Sequence, residues 1–155
     1  MGKTIWLVVL LALPFPAAMQ ANRKPRTALL PLAEAQSVSR LCSREPRPEV
    51  EAGWLPIESD LAAMEKRFPE ISKLQSRRSE NSGISIRTPH SYYRQYIGVM
   101  VKGKKYIYVN AICDKKPPSD WQEKLVNVCD GGCNWGVLYD VQTGSFSEFG
   151  MNGIA

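Results

Sequence analysis

The chain has one histidine and only four cysteines, and aromatic residues make up 9% of its 155 positions. It has no Gly-X-Y period, no long heptad run and no uninterrupted apolar stretch of about 18 residues. Collagen-like, coiled-coil and helical membrane-spanning architectures are therefore excluded as readings of the mature fold. The apolar share of 44% is too high for a disordered chain. A single histidine leaves little room for histidine-based catalysis or metal ligation. With domains of roughly 100 to 200 residues, the length predicts one core.

Met1 to Ala21 (MGKTIWLVVLLALPFPAAMQA) has a positive start at Lys3, an apolar run from Ile5 to Leu13, and Pro14 and Pro16 ahead of small residues. This is the pattern of a secretory signal peptide rather than an anchor, because the apolar run is too short to span a bilayer. Taking 1–21 as the signal leaves 134 residues and lowers the formal charge from +5 to +4. Residues 22–53 read as a basic arm with a short helix and a connector, and 54–155 as an α+β domain.

The remaining charge is polarised. Asn22 to Pro48 carries +4 and Arg87 to Lys116 carries +6, whereas the chain after Pro117 carries −4. A basic strip suits an anionic partner, either a protein or an envelope component, but because its residues are not packed into a single run it reads first as a solvated surface that keeps an exported protein soluble. No nucleic-acid-binding signature accompanies it, and export separates the chain from nucleic acid. Nothing calls for a cofactor.

Cys42, Cys113, Cys129 and Cys133 in an exported chain imply two disulfides in one of three connectivities. Zinc is disfavoured because the Cys129/Cys133 spacing has no matching second pair. A Cys129–Cys133 bridge closes a tight turn worth about 2 kcal/mol, against about 4 kcal/mol for a long loop from Cys42. Pairing Cys42 with Cys133 and Cys113 with Cys129 would staple the arm to the sheet, and this is the expected arrangement.

Along the chain, Pro31 to Leu41 predicts a short helix with Leu32, Ala35, Val38 and Leu41 recurring every three residues. Ser43 to Gly53 is a proline- and charge-rich connector with little to bury. Ile57, Leu61, Met64, Phe68, Ile71 and Leu74 mark one helical face, which Pro69 must divide, giving a helix over Glu58 to Arg67 and a second piece through Gln75. Ser76 to Gly83 reads as a loop and Ile84 to Arg87 as a short strand.

From Tyr93 the period becomes two. Tyr93, Gln95, Ile97, Val99 and Val101 share a face with Tyr106, Tyr108, Asn110 and Ile112 across a Lys102-Gly103 turn that sets Val99 opposite Tyr106. Leu125 to Cys129, Cys133 to Val141 and Ser145 to Met151 complete the strands. The expected fold is thus α+β, with N-terminal helices packed on one face of an antiparallel meander of about five strands.

The run VCDGGCNWGVLYDVQTGSFSEFGMNGIA, with the hairpin RQYIGVMVKGKKYIYVNAIC before it, resembles the C-terminal part of a group of small exported proteins of Gram-negative bacteria. The resemblance covers about Tyr93 to Ala155 and implies a periplasmic or secreted setting, with no particular chemistry. Cys133 within the turn departs from that pattern. The order of helix and hairpins also resembles cystatin-type inhibitors in architecture alone, since Gly98 lies mid-strand and Trp121 is separated from Pro118.

For function, two classes compete. A binding module would use the basic hairpin at Lys102, Lys104 and Lys105 together with His90, Tyr92, Arg94, Asp130 and Trp135. A small hydrolase would need His90 or paired carboxylates, yet Ser91 adjoins His90 in sequence and no nucleophile elbow occurs. Asp130, Asn134 and Asp140 lack the spacing of a calcium loop, and Asp130 before two glycines is first a turn residue. The binding class is the stronger expectation, with a non-catalytic role.

Overall fold

A computed structural model describes residues 25–42, 44–45, 47–75, 86, 88–129 and 131–153. The signal-peptide segment, the Ser76 to Gly83 loop, most of the Ile84 to Arg87 strand and Asp130 lie outside them. The centre is a hairpin of two nine-residue strands, β3 (Tyr93–Val101) and β4 (Lys104–Ile112). Before it come β1 (Thr27–Leu29) and β2 (Ala52–Gly53), and after it β5 (Trp135–Asp140) and β6 (Ser145–Met151). The sheet order is β1-β3-β4-β5-β6, with β2 also on β3.

The fold is therefore α+β, as expected, but the sheet has six strands rather than about five and is mixed rather than antiparallel. β1 runs parallel to β3, pairing Ala28 with Gln95. A three-residue and a two-residue strand are too short to carry a readable period, so the arm's contribution to the sheet is invisible in the pattern of its residues. The hairpin follows the turn: Lys102 (φ 50°) and Gly103 (φ 70°) are both left-handed, as a two-residue hairpin turn requires, and Val99 faces Tyr106 while Ile97 faces Tyr108.

The expectation of helices on one face is also corrected. The strands are long enough to bury side chains on both faces, and each face has its own cover. On one side α1 (Glu58–Arg67) and a 3-10 helix (Phe68–Lys73) set Met64, Phe68 and Ile71 against Tyr96, Val109, Trp135 and Val137. Asp60 accepts the backbone N–H of Ile57 at 3.1 Å, acids occupy the first turn of α1 and Lys66 and Arg67 its last, which suits the helix dipole. Pro69 falls at the start of the 3-10 helix, where a missing N–H leaves no bond unmade.

On the opposite side a 3-10 helix (Leu32–Arg40) packs Ala35 and Val38, with Leu41 after it, on Ile97, Val99, Tyr108 and Leu138. The strict three-residue spacing of these positions is the period of a 3-10 helix, so the helix expected here takes the tighter form. Gly98 sits mid-strand because the Trp54 backbone crosses it: a Cβ there would lie 2.1 Å from the Trp54 carbonyl oxygen.

The disulfides are Cys42–Cys129 and Cys113–Cys133, which overturns the expected pairing of Cys42 with Cys133 and Cys113 with Cys129. Register explains the correction. Ala111 pairs with Trp135, and continuing that antiparallel ladder by two places sets Cys113 opposite Cys133. Asn134 fixes the arrangement by accepting the Cys113 N–H at 3.1 Å. Cys129 is left for Cys42, whose N–H donates to Asn127 Oδ1 at 3.0 Å. Among the described residues no helix is long and apolar enough to cross a membrane.

Candidate functional site

The sequence candidates separate into two places. Lys102, Lys104 and Lys105 project exposed from the β3–β4 turn. The turn is braced from the two residues flanking β2: the Glu51 carboxylate accepts the Gly103 N–H at 3.0 Å and the Trp54 indole donates to the Tyr106 carbonyl at 3.0 Å. Lys105 Nζ lies 5.0 Å from the Trp54 ring centroid, a cation-π distance.

Beside the turn the cover of the 3-10 helix runs out, and a groove of about 440 Å³ opens over the sheet. Val101, Tyr106 and Leu138 give it an apolar floor; Arg47, Lys102 and Lys104 supply cations, and Glu49 and Glu148 supply carboxylates. Glu148 has φ 51°, a conformation unfavourable for a residue with a Cβ. It stands at a bulge where two residues of β6 oppose one of β5, since Gly136 pairs with Gly150 but Leu138 with Ser147. The bulge turns the strand edge at the groove rim. Backbone strain of this kind persists where surrounding structure holds it and concentrates at binding sites.

His90, Tyr92, Arg94 and Trp135 gather elsewhere, around Phe68 under α1. Arg94 Nη1 donates to both Glu65 oxygens at 3.0 and 2.9 Å, and its guanidinium lies 4.8 Å from the Phe68 ring centroid. Tyr96 Oη donates to the same Glu65 carboxylate. The His90 ring is 5.3 Å from Phe68, and the Tyr92 and Trp135 rings are 5.5 Å apart, edge to face. Glu65 thereby ties α1 to β3 through two side chains of one strand.

As a hydrolase site this cluster is poorly arranged. His90 Nδ1 lies 3.2 Å from Arg94 Nη1 and 3.6 Å from the Glu65 carboxylate, so the ring faces an ion pair whose two members already bond each other, and no nucleophile. The Ser91 hydroxyl donates to the Thr88 carbonyl at 2.8 Å rather than to His90. The Glu70 carboxylate is occupied by Arg67 through two 2.9 Å hydrogen bonds, which hold its pKa below the ordinary carboxylate range. No group of three or more His, Cys, Asp or Glu among the described residues is placed to hold a metal ion.

Burial raises the phenol pKa values of Tyr96, Tyr139 and Tyr92 above the usual value. A folded-state pKa above the unfolded one gives stability that is fully present below about pH 10 and lost as pH rises beyond it. The melting temperature should thus fall as the pH is raised from about 10 to 12, and Tyr96→Phe should flatten that slope by removing the most strongly shifted of the three. Thermal melts followed by circular dichroism across this range test it; an unchanged slope in the variant rejects the assignment.

Sequence reasoning missed a third assembly on the opposite sheet face. Arg44, only 3% exposed, lies in the connector read as having little to bury. It donates from Nε to Asn152 Oδ1 at 2.9 Å and from Nη1 to Tyr108 Oη at 2.9 Å and Asn110 Oδ1 at 2.5 Å. Asn110 faces Gln95 across the hairpin and donates to its oxygen at 2.8 Å. The amides then hold the loop after Cys113. Gln95 Nε2 donates to the carbonyls of Trp121 (2.5 Å) and Lys124 (2.6 Å), Asn110 Nδ2 to Val126 (2.9 Å), and Asn152 Nδ2 to Val128 (2.5 Å).

This is why Leu125 to Cys129 is not the strand expected from its residues: side-chain amides, not a neighbouring strand, satisfy its carbonyls. Asn134 adds to the hold by donating to the Gly131 carbonyl at 3.3 Å. The signal for this network was present in Gln95 and Asn110, two amides facing each other on an otherwise apolar stripe.

No protein-family model matches the chain, and no curated protein and no solved structure is significantly similar to it.

Proposed function

We propose that this is a small exported, disulfide-bonded binding protein whose lysine-rich hairpin and adjoining groove engage an acidic segment of another protein. The observation that carries the reading is the groove itself: an apolar floor of Val101, Tyr106 and Leu138 beside Arg47, Lys102 and Lys104. Such a site offers both burial for an apolar side chain and charge for its acidic neighbours. Glu49 and Glu148 at the same rim oppose a uniformly anionic surface, so a polypeptide fits better than a phospholipid layer or an envelope polymer. The signal-like start, the two disulfides and the resemblance of the C-terminal run to exported proteins support a periplasmic or secreted setting.

The test is a titration of the oxidised protein with an acidic peptide bearing a central leucine, and in parallel with vesicles of anionic phospholipid. The expected result is peptide binding that weakens at least about tenfold in the exposed-residue variant Lys102→Glu/Lys104→Glu and falls with added salt. Vesicle binding with the same dependence, or no binding of the peptide, overturns the reading.

A further inference from the structure

A second cavity lies at the far end of β3 from the lysine turn. It has a volume of about 560 Å³, within the range of small-ligand sites at roughly 300 to 1,000 Å³. Tyr93 and Trp121 form its corner, with ring centroids 5.3 Å apart at 73°. Pro25, Pro117 and Pro118 extend the apolar lining, and Ser119 and Gln122 add a hydroxyl and an amide. Lys115 and Lys116 complete the rim, and among the described residues no carboxylate lines the cavity.

The electrostatics are one-sided. Neither lysine has an ion-pair partner among the described residues. Asp120, the acid nearest in sequence on the loop side, is engaged by Lys124 at 3.4 Å, and Asp114 precedes Lys115 in the chain. A third cation stands beside the cavity, with the Arg26 guanidinium 5.4 Å from the Tyr93 ring centroid. The walls are also fixed in advance. Gln95 grips the Trp121 and Lys124 carbonyls from the sheet, the Cys113–Cys133 disulfide anchors the loop's start, and three prolines limit the lining backbone. A site that needs little ordering when a ligand arrives retains more of the contact energy as affinity.

We infer that this cavity binds a carboxylated saccharide. A pyranose ring has a C–H face suited to the aromatic and proline surfaces, hydroxyls suited to Ser119 and Gln122, and in a uronic acid a carboxylate for Lys115 and Lys116. A bare inorganic anion would leave the apolar corner unused, and a neutral sugar would leave both ammonium groups unpaired.

The experiment is amide and indole NMR titration of the oxidised protein with tri-galacturonate, a neutral trisaccharide and sodium sulfate. Tri-galacturonate should shift the Trp121 indole and the signals of residues 115–122, and bind at least tenfold tighter than either control. The exposed-residue variant Lys115→Glu/Lys116→Glu should lose tenfold or more while Lys102→Glu/Lys104→Glu binds as the parent does. Sulfate binding as tight as the uronate would mean a simple anion site and overturn the inference. So would equal binding of the neutral sugar, shifts confined to the 102–104 turn, or no binding. Because the two lysine pairs are separate, failure here leaves the groove reading standing, and the reverse holds.

Discussion

Arg44→Ala is expected to lower the unfolding free energy by about 3 to 5 kcal/mol, the range for breaking a buried, charge-assisted network. The guanidinium is buried, and its hydrogen-bond partners among the described residues are neutral: Asn152, Tyr108 and Asn110. Removing it strips the donor from two buried amide oxygens, each worth about 1 to 3 kcal/mol when left unsatisfied. It also empties space between Gly136 and Gly150, where an added Cβ would now lie 2.8 Å from Arg44 Nη1 and 3.3 Å from its Cγ.

The conservative variants discriminate the causes. Arg44→Lys keeps the charge, but one ammonium cannot reproduce a fork that reaches three acceptors, so it should still lose about 2 kcal/mol. Arg44→Met keeps the stem without the charge and should fall between Lys and Ala. Urea unfolding with the disulfides intact measures all three. Hydrogen exchange adds a local readout, because loosening Asn110 and Asn152 should raise exchange in the 121–128 loop before the sheet itself. A loss under about 1 kcal/mol for Arg44→Ala would show that the network is ornamental to stability.

Much of the fold could be read where periodicity is long. The β3–β4 register follows from a turn whose two residues must be left-handed, and the division of the helix at Arg67 follows from Pro69. What escaped was whatever depends on contacts distant in sequence. β1 and β2 are set by pairing to β3, not by any pattern of their own. Arg44 looks like an ordinary connector charge until Asn110 and Asn152, 66 and 108 residues away, are beside it.

The candidate site shows the same division. Lys102, Lys104 and Lys105 were accessible to sequence because a hairpin turn must be exposed. His90, Arg94 and Trp135 do share one neighbourhood, but its organiser is Glu65, which sits on α1 between the apolar positions and gave no signal. Arg47 and Glu148 joined the groove only through the path of the connector and the bulge in β6.

The other large effect concerns the disulfides, and it ranks them. Replacing Cys42 and Cys129 together by alanine should reduce stability by about 4 to 5 kcal/mol, and replacing Cys113 and Cys133 by about 3 kcal/mol. Loop-closure entropy sets the order, because the first bridge spans 87 residues and the second only 20. Native contacts widen the gap. Cys113 and Cys133 extend two strands already paired through the β4–β5 ladder, so their neighbours remain together without the bond. Cys42 and Cys129 join the end of the 3-10 helix to a loop held chiefly by side-chain amides, so losing that bond also weakens the Arg44 network. For a domain whose total stability is about 5 to 15 kcal/mol, the first variant should be near its unfolding threshold while the second stays folded. Guanidinium unfolding of the two double variants measures the difference, and non-reducing peptide mapping of the parent checks that Cys42 is joined to Cys129. Equal losses would mean that the unfolded chain is already compact enough to bring Cys42 near Cys129, and that the long-loop argument fails for this protein.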